Sequence, residues 1–235
     1  MSREFKLEKR YYGESYDLYK KKTITINEGL TVLVGCNGSG KSTMLHQIEE
    51  QLKKENIPVM SFDNLKDGGS RAISSAGFFN DFDFMATALA SSEGENIVLN
   101  IGKLASCLRA FIKKGEITGR KDSFMNGILK AMREENGEEI KEIPNERWLL
   151  LDAVDSGLSV DNIVEIKEGL FKTILEDAGD CKVYILISAN EYELARKENC
   201  FDVYNGKYLN FSDYEQYRDF ILKSRKIKDE RYGNS

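Results

Sequence analysis

The sequence predicts an α/β fold in which helices flank a mixed β-sheet. A strand-like run leads directly into a glycine-rich segment at 35–40, and a helical pattern starts immediately after it. Short apolar runs, typical of buried strands, recur at 57–62, 147–152 and 182–188. A helical pattern over 159–177 separates the last two runs. Strands that alternate with helices indicate a largely parallel sheet.

The first half of this order starts with two strands, expected over 4–12 and 22–34, with a turn at 27–29 inside the second. The helix after the glycine-rich segment is expected from Lys41 to about Asn56. It carries apolar residues at four-residue steps on one face, namely Met44, Ile48 and Leu52. With the strand at 57–62 it completes a βαβ unit, whose connection should be right-handed and whose strands should be parallel.

The middle of the chain predicts two surface features. A small helical lobe is expected over about 63–115, and its clearest element is an amphipathic helix near 97–112. A polar, charged insertion is expected over about 116–146, with one helix near 123–135.

The last third predicts the strands at 147–152 and 182–188, with the helix at 159–177 between them. The apolar positions of that helix are Ile163, Ile166, Leu170 and Ile174. The dipeptide Asn205-Gly206 favours a tight hairpin. A final helix should end in a charged tail that frays.

Composition favours one domain over 1–235, because 41% hydrophobic residues in a chain of this length suffice for one full core. The net charge of −5 argues against a dedicated DNA-wrapping protein. No apolar run approaches the ~20 residues of a spanning helix, so we expect a soluble, cytoplasmic protein without membrane insertion. The four cysteines are scattered, which argues against a zinc or disulfide framework.

The segment GCNGSGKS matches the P-loop pattern G-x-x-x-x-G-K-[ST] in full. Glycines allow successive backbone N–H groups to close around phosphates, a lysine reaches the β- and γ-phosphates, and a hydroxyl binds Mg²⁺. The helix that follows adds a partial positive charge at its N-terminus. ATP and Mg²⁺ are therefore the predicted ligands. The candidate residues are Gly35, Cys36, Asn37, Gly38, Ser39, Gly40, Lys41 and Ser42.

A P-loop also needs a carboxylate at the end of a neighbouring strand. Asp152 ends the run WLLLD and is the candidate. Ser42 and Asp152 are thus the predicted magnesium-binding residues, and Lys41 and Asp152 are assigned to catalysis. The tyrosines Tyr11, Tyr12 and Tyr16 lie upstream, where an aromatic ring could stack on adenine, but positions in the core or on a strand explain them equally well.

Three further segments make the chain resemble the ATP-binding-cassette (ABC) ATPases, and most closely their SMC- and RecF-like branch. Residues 152–159, DAVDSGLS, resemble the family pattern D-E-P-T-S-G-L-D. Residues 91–95, SSEGE, resemble its signature segment, and 187–190, ISAN, lie where the family has its switch motif. The family form GCNGSGKST adds Thr43 to the nucleotide-binding candidates. The resemblance runs from about residue 25 to 210.

The resemblance implies a head-to-tail homodimer, in which the signature residues of one subunit complete the ATP site of the other. By position these residues are Ser92 and Gly94. A serine hydroxyl and N–H groups at a helix N-terminus suit a γ-phosphate. An alternative for this segment is a simple capping box between Ser92 and Glu95, and the two interpretations are compatible.

Two positions depart from the family pattern. Ala153 stands where most members carry a glutamate that polarises water, and Ala189 stands at the switch histidine. The only histidine, His46, is expected on the surface of the P-loop helix. Loss of a general base typically slows a reaction ~10²–10⁴-fold, so slow hydrolysis is expected. Asp155 is the candidate substitute, although a structural role in the turn explains it equally well.

The leading hypothesis is an ATPase of the SMC/RecF-like kind, acting as a small stand-alone protein in DNA repair or recombination-type processes. About fifty residues separate the P-loop from residues 91–95, which leaves no room for a long coiled coil. Two alternatives stay open: the nucleotide-binding subunit of a transporter, and a P-loop kinase for a small molecule or nucleotide. A protein or nucleic-acid partner is left open.

Overall fold

The computed structural model describes residues 1–9, 16–63, 108–109, 111–113, 115, 144–156 and 158–233. The predicted helical lobe and surface insertion lie almost entirely outside these ranges. The same holds for Tyr11, Tyr12, Ser92 and Gly94, which therefore stay predictions.

The described strands and helices follow the predicted alternation. The strands are β1 (Ser2–Lys6), β2 (Thr23–Asn27), β3 (Gly29–Val34), β4 (Val59–Asp63), β5 (Glu146–Asp152), β6 (Lys182–Ser188), β7 (Asn199–Asp202) and β8 (Lys207–Leu209). The helices are α1 (Lys41–Lys54), α2 (Val160–Glu165), α3 (Lys172–Glu176), α4 (Tyr192–Ala195) and α5 (Tyr214–Gly233), and a π-helical turn at Ile166–Phe171 joins α2 to α3.

The main sheet has the strand order β4-β5-β6-β3-β7-β8. Its pairs are parallel except β7 with β8, which are antiparallel. The predicted α/β class with a mixed sheet and flanking helices is confirmed. Every residue from Val183 to Ser188 is buried, since β6 lies inside a sheet that is covered on both faces, and this explains its continuous apolar run.

The N-terminal strands form a separate antiparallel sheet, in which β1 pairs with β2. The prediction of strands over 4–12 and 22–34 was wrong in its bounds. The first strand ends at Lys6, and the second is two strands in different sheets. Gly29 follows the break with φ +94°, a left-handed conformation that favours glycine, and there the chain enters the main sheet.

Two apolar clusters fill the two faces of the main sheet. One contains the predicted inner face of α1, with Met44, Ile48 and Leu52 all buried beside Trp148. The Trp148 ring stacks on Tyr184 of the next strand at 4.1 Å, and Phe5 of β1 meets it edge-on at 5.1 Å. These rings attach the N-terminal sheet to the main sheet.

The second cluster lies beneath α2, α3 and α5. The helix predicted over 159–177 is present, but its inner face differs from the prediction. Phe171 is buried and Leu170 only partly so. A π-helical turn bonds residues five apart, so Phe171 rather than Leu170 lies on the same face as Ile166.

The predicted hairpin is confirmed by β7 and β8, with Gly206 at φ +61° in the turn between them. The charged tail is not frayed within the described residues, because α5 continues to Gly233. Among the helices described, none is long and apolar enough to cross a membrane.

Candidate functional site

The site lies at the carboxyl edge of the main sheet. Gly35 follows β3, Asp152 ends β5 and Ser188 ends β6. Because these three strands are neighbours and parallel, their carboxyl ends meet at one edge. A cavity of about 930 Å³ opens there. Such an edge is the usual ligand position in open α/β sheets.

The P-loop forms one wall of this cavity, which is lined by Asn37, Gly38, Gly40, Lys41, Ser42 and Thr43. Gly38 and Gly40 adopt φ +76° and +98°, which glycine tolerates best. A Cβ at Gly40 would lie 3.1 Å from the ring of Tyr19, whose hydroxyl donates to the Gly40 carbonyl at 2.8 Å. The glycine at position 40 is therefore required by both backbone and space.

The remaining P-loop candidates are buried behind this wall. A Cβ at Gly35 would lie 2.5 Å from Ser39 Oγ and 3.1 Å from Ser39 Cβ, so a side chain there would require Ser39 to shift. Ser39 is 2% exposed, and its hydroxyl has no hydrogen-bond partner among the described residues. Cys36 is also buried. These residues shape the loop rather than line the cavity.

Lys41 begins α1 and is only 8% exposed. Its Nζ donates to the carbonyls of Gly35 at 2.8 Å and Cys36 at 3.4 Å. Burial lowers the pKa of this ammonium, while the nearby Cys36, Asp155 and Asp152 partly offset the shift. The lysine is thus in electrostatic range of both candidate carboxylates.

Asp152 is oriented by Ser188, whose hydroxyl donates to its Oδ1. The same Oγ accepts from the buried N–H of Ala153 at 2.9 Å. The sequence analysis assigned Ser188 no role, since its contact with Asp152 depends on the pairing of β5 with β6. Its position at the end of a strand was the available signal.

The residues present fit a magnesium ion held together with nucleotide phosphates. Ser42 and Asp152 both line the cavity and supply a hydroxyl and a carboxylate. Among the described residues, no three His, Cys, Asp or Glu side chains are grouped so as to hold a metal alone. Mg²⁺ in such sites needs only one or two carboxylates, because phosphates and waters supply the other oxygens.

Asp63 is a second carboxylate at this edge that the sequence analysis missed. It ends β4, pairs in register with Asp152 and lines the cavity. The signal was the aspartate that closes the apolar run at 57–62, but only the order of β4 beside β5 places it next to Asp152.

Asp155 is 3% exposed and connects the ends of β5 and β6. Its Oδ2 accepts from the backbone N–H groups of Asn190 at 2.6 Å and Glu191 at 2.7 Å. Its Oδ1 has no hydrogen-bond partner among the described residues. The carboxylate therefore has a structural contact on one oxygen and a buried, unpaired acceptor on the other, and Asp155 is not among the described residues that line the cavity.

Ala153 and Ala189, which stand where the ABC family has its glutamate and its switch histidine, differ in their exposure to the cavity. Ala153 has φ +50° and lines the cavity, while Ala189 is fully buried.

His46 lies on the α1 surface as expected, 3.5 Å from Glu50, and also lines the cavity. Of the three candidate tyrosines, Tyr16 is described and lines the cavity beside Leu18.

Comparisons with known proteins found likenesses among solved structures only. No protein-family model matches the chain, and no curated protein sequence matches it. A solved structure similar to this chain is a nucleotide-free ATP-binding cassette from an ABC transporter. The two are 13% identical, with 95% of this chain and 96% of the other covered and a TM-score of 0.44.

Proposed function

We propose that this protein is an ATPase of the ABC type that binds ATP and Mg²⁺ at the carboxyl edge of its main sheet. The observation that carries the proposal is the convergence of a complete P-loop, between β3 and α1, with Asp152 at the end of β5. The motif and its strand–loop–helix context occur together here, and this combination supports the assignment of a P-loop.

Each wall of the cavity has a part in this proposal. Backbone N–H groups of the P-loop and the N-terminus of α1 hold phosphate oxygens, and Lys41 neutralises their charge. No acidic residue occupies the first turn of α1, so its positive end is not neutralised locally. Ser42 and Asp152 would hold Mg²⁺, which would supply positive charge at the terminal phosphate. Tyr16, the described one of the three candidate tyrosines, lines the cavity and is the proposed ring to stack on adenine.

Hydrolysis in this proposal is slow. The cavity has a methyl group at Ala153, and neither Ala153 nor Ala189 can accept a proton or orient a water. Asp155 is the proposed substitute, since its Oδ1 is an unpaired acceptor among the described residues. Because this oxygen is buried and Asp155 does not line the cavity, the role requires that a water reach it when nucleotide is bound. Its Oδ2 contacts with Asn190 and Glu191 would hold it in place.

The proposed working form is an ATP-dependent head-to-tail homodimer completed by Ser92 and Gly94. This part rests on the resemblance of residues 91–95 to the ABC signature. A cytoplasmic role in DNA repair or recombination-type processes belongs to the same proposal, because the signature form is that of the SMC/RecF-like branch.

Calorimetric titration tests the binding step. We expect the wild-type protein to bind MgATP, and Asp152→Asn to lose the magnesium-dependent part of the affinity while keeping the rest. The control is Asp161→Asn, which changes a fully exposed carboxylate on α2 and should bind like wild type. Absence of MgATP binding by the wild-type protein would refute the proposal.

Phosphate release without any added acceptor separates this function from a kinase. An ATPase releases phosphate into water, whereas a kinase needs an acceptor for the phosphoryl group. Slow release that stops in Lys41→Met supports the proposal. ADP formation without phosphate release, seen only with an added small-molecule acceptor that becomes phosphorylated, favours the kinase.

A further inference from the structure

Helix α5 contacts three walls of the candidate nucleotide site through one of its faces. The contacting side chains are separated by seven, four and three positions, the spacing of residues on one helical face. They are Tyr217, Ser224, Lys228 and Arg231. All four contact main-chain groups elsewhere in the chain.

The first wall is the P-loop itself. Ser224 Oγ accepts from the N–H of Cys36 at 3.1 Å, and Lys228 Nζ donates to the carbonyl of Asn37 at 3.2 Å. Lys228 Nζ also lies 3.6 Å from where a Cβ at Gly38 would stand. The helix thus holds the backbone of the loop immediately before the glycines that face the cavity.

The other two walls are held in the same manner. The hydroxyl of Tyr217 donates to the carbonyl of Asn190 at 2.8 Å, and Asn190 lines the cavity. Burial raises the pKa of Tyr217, so its hydroxyl stays a donor at neutral pH. Arg231 Nη1 donates to the carbonyls of Asp17 at 2.9 Å and Leu18 at 3.0 Å, beside Tyr16.

Such contacts matter most at the P-loop, because a glycine-rich loop loses more conformational freedom on ordering than any other segment. Among the described residues that line the cavity, neither Ser224 nor Lys228 is present. Their influence on a bound nucleotide would therefore pass through the backbone of Cys36 and Asn37.

We propose that Ser224 and Lys228 are positioning residues that hold the P-loop in its nucleotide-binding conformation. The inference rests on the proposed function of the site. By reciprocity, bound nucleotide strengthens the attachment of α5 to the loop. The C-terminal helix is then a working part of the nucleotide site, although it donates nothing to the ligand.

The test compares MgATP and MgADP affinities of Ser224→Ala and Lys228→Met by calorimetry. We expect each variant to bind both nucleotides roughly threefold to tenfold more weakly, the effect of one lost hydrogen bond. The two nucleotides should weaken alike because both use the same loop. Alanine is a better helix former than serine, so the helix itself is not weakened.

Two further variants are controls. Lys226→Met changes an exposed lysine on the same helix and should bind like wild type. Ser224→Thr keeps the hydroxyl acceptor and should restore most of the affinity. Thermal midpoints of the nucleotide-free variants should stay near that of the wild type.

Each other outcome has a distinct meaning. Wild-type affinity in both Ser224→Ala and Lys228→Met overturns the inference while the proposed function stands. So does weaker binding that follows a lower thermal midpoint and is not restored by Ser224→Thr. A wild-type protein that binds neither nucleotide refutes the proposed function, and this inference with it.

Discussion

The ammonium of Lys41 is well placed to attract phosphates, but its burial is unfavourable for a charged group. It is buried, and its pKa is below the ordinary value of 10.5 because burial disfavours the charged form. Contacts with Gly35 and Cys36 hold the ammonium where phosphates are expected. The residue that binding needs most is thus one that folding alone does not favour.

Replacement of Lys41 by methionine should therefore abolish MgATP binding and change the pH dependence of stability. Between the folded pKa and 10.5, the unfolded wild-type chain binds a proton that the folded chain does not. The free energy of unfolding of the wild type should then rise, relative to the variant, as the pH increases from the folded pKa towards 10.5. Urea titrations across this range measure the difference. Lys53→Met, at an exposed position on α1, should run parallel to wild type, and parallel curves for Lys41→Met would contradict the expectation.

Gly40→Ala should destabilise the protein and weaken nucleotide binding. A left-handed backbone costs a residue with a Cβ roughly 1–2 kcal/mol, and the Cβ would lie 3.1 Å from the ring of Tyr19, which would have to shift. Gly169→Ala is the matched control, because nothing lies within 4 Å of its added Cβ, and it should be neutral or stabilising. Chemical denaturation measures the free energy of unfolding of both variants. Equal values would argue against strain at position 40.

Asp155→Asn separates the two roles of that carboxylate. Asparagine keeps an oxygen for the N–H groups of Asn190 and Glu191, so the fold should persist, but it cannot take up a proton. We expect turnover to fall by roughly 10²–10⁴, the usual effect of a lost general base. Asp161→Asn should leave turnover unchanged. Equal rates in wild type and Asp155→Asn would remove Asp155 from the mechanism and leave it a structural residue.

Part of this residue-scale description could be predicted from sequence, and the reason is physical. A P-loop is contiguous, so its glycines, Lys41 and Ser42 are recognisable from local composition alone. Ser188 and Asp63 were missed because their proximity to Asp152 depends on the order of β4, β5 and β6 in the sheet. That order is a long-range property without a local pattern.

The π-helical turn between α2 and α3 is a feature that shapes the second cluster. Its extra residue buries Phe171, and it also buries Lys167, which is 7% exposed. Lys167 Nζ donates to the carbonyls of Glu193 and Arg196 and lies 3.3 Å from Glu198 Oε1. The turn thereby anchors α4 and the segment that follows it. A regular helical period predicts that Leu170 rather than Phe171 is buried. The burial of Lys167 depends on the same π-helical turn, so the sequence did not predict it.

Lys167→Met should lower the free energy of unfolding by roughly 1.5–3 kcal/mol, the range for hydrogen bonds to a charged group. The carbonyls of Glu193 and Arg196 would lose their donor. Lys172→Met removes an exposed charge from the next helical segment and should have little effect. Equal urea midpoints for the two variants would show that Lys167 is not an anchor.

At the scale of the whole molecule, the sequence correctly predicted the α/β class and the alternation of strands and helices. It missed the contacts of α5 with the candidate nucleotide site, since the polar residues of α5 look like those of any solvated helix. Their main-chain partners lie in three separate segments, around Leu18, Cys36 and Asn190. Contacts of this kind leave no periodic signal in either partner.

The oligomeric state should depend on the bound nucleotide. If a second copy completes the site, the protein should be a dimer with ATP and a monomer with ADP or without nucleotide. Ser92→Arg should keep MgATP binding but stop dimer formation, because a bulky cation would replace the proposed phosphate ligand. Ser212→Arg, an exposed position before α5, is the control. Size-exclusion chromatography with light scattering measures this, and a monomer under all three conditions would refute the dimer.

The ring cluster between the two sheets also makes the molecule easy to observe. Trp148 is the only tryptophan in the chain, and its indole N–H donates to Glu146, which is also bound by Arg3 of β1. Separation of β1 and β2 from the main sheet would hydrate one indole and no other. The intrinsic emission spectrum of the unlabelled protein is therefore a direct optical reporter of that separation.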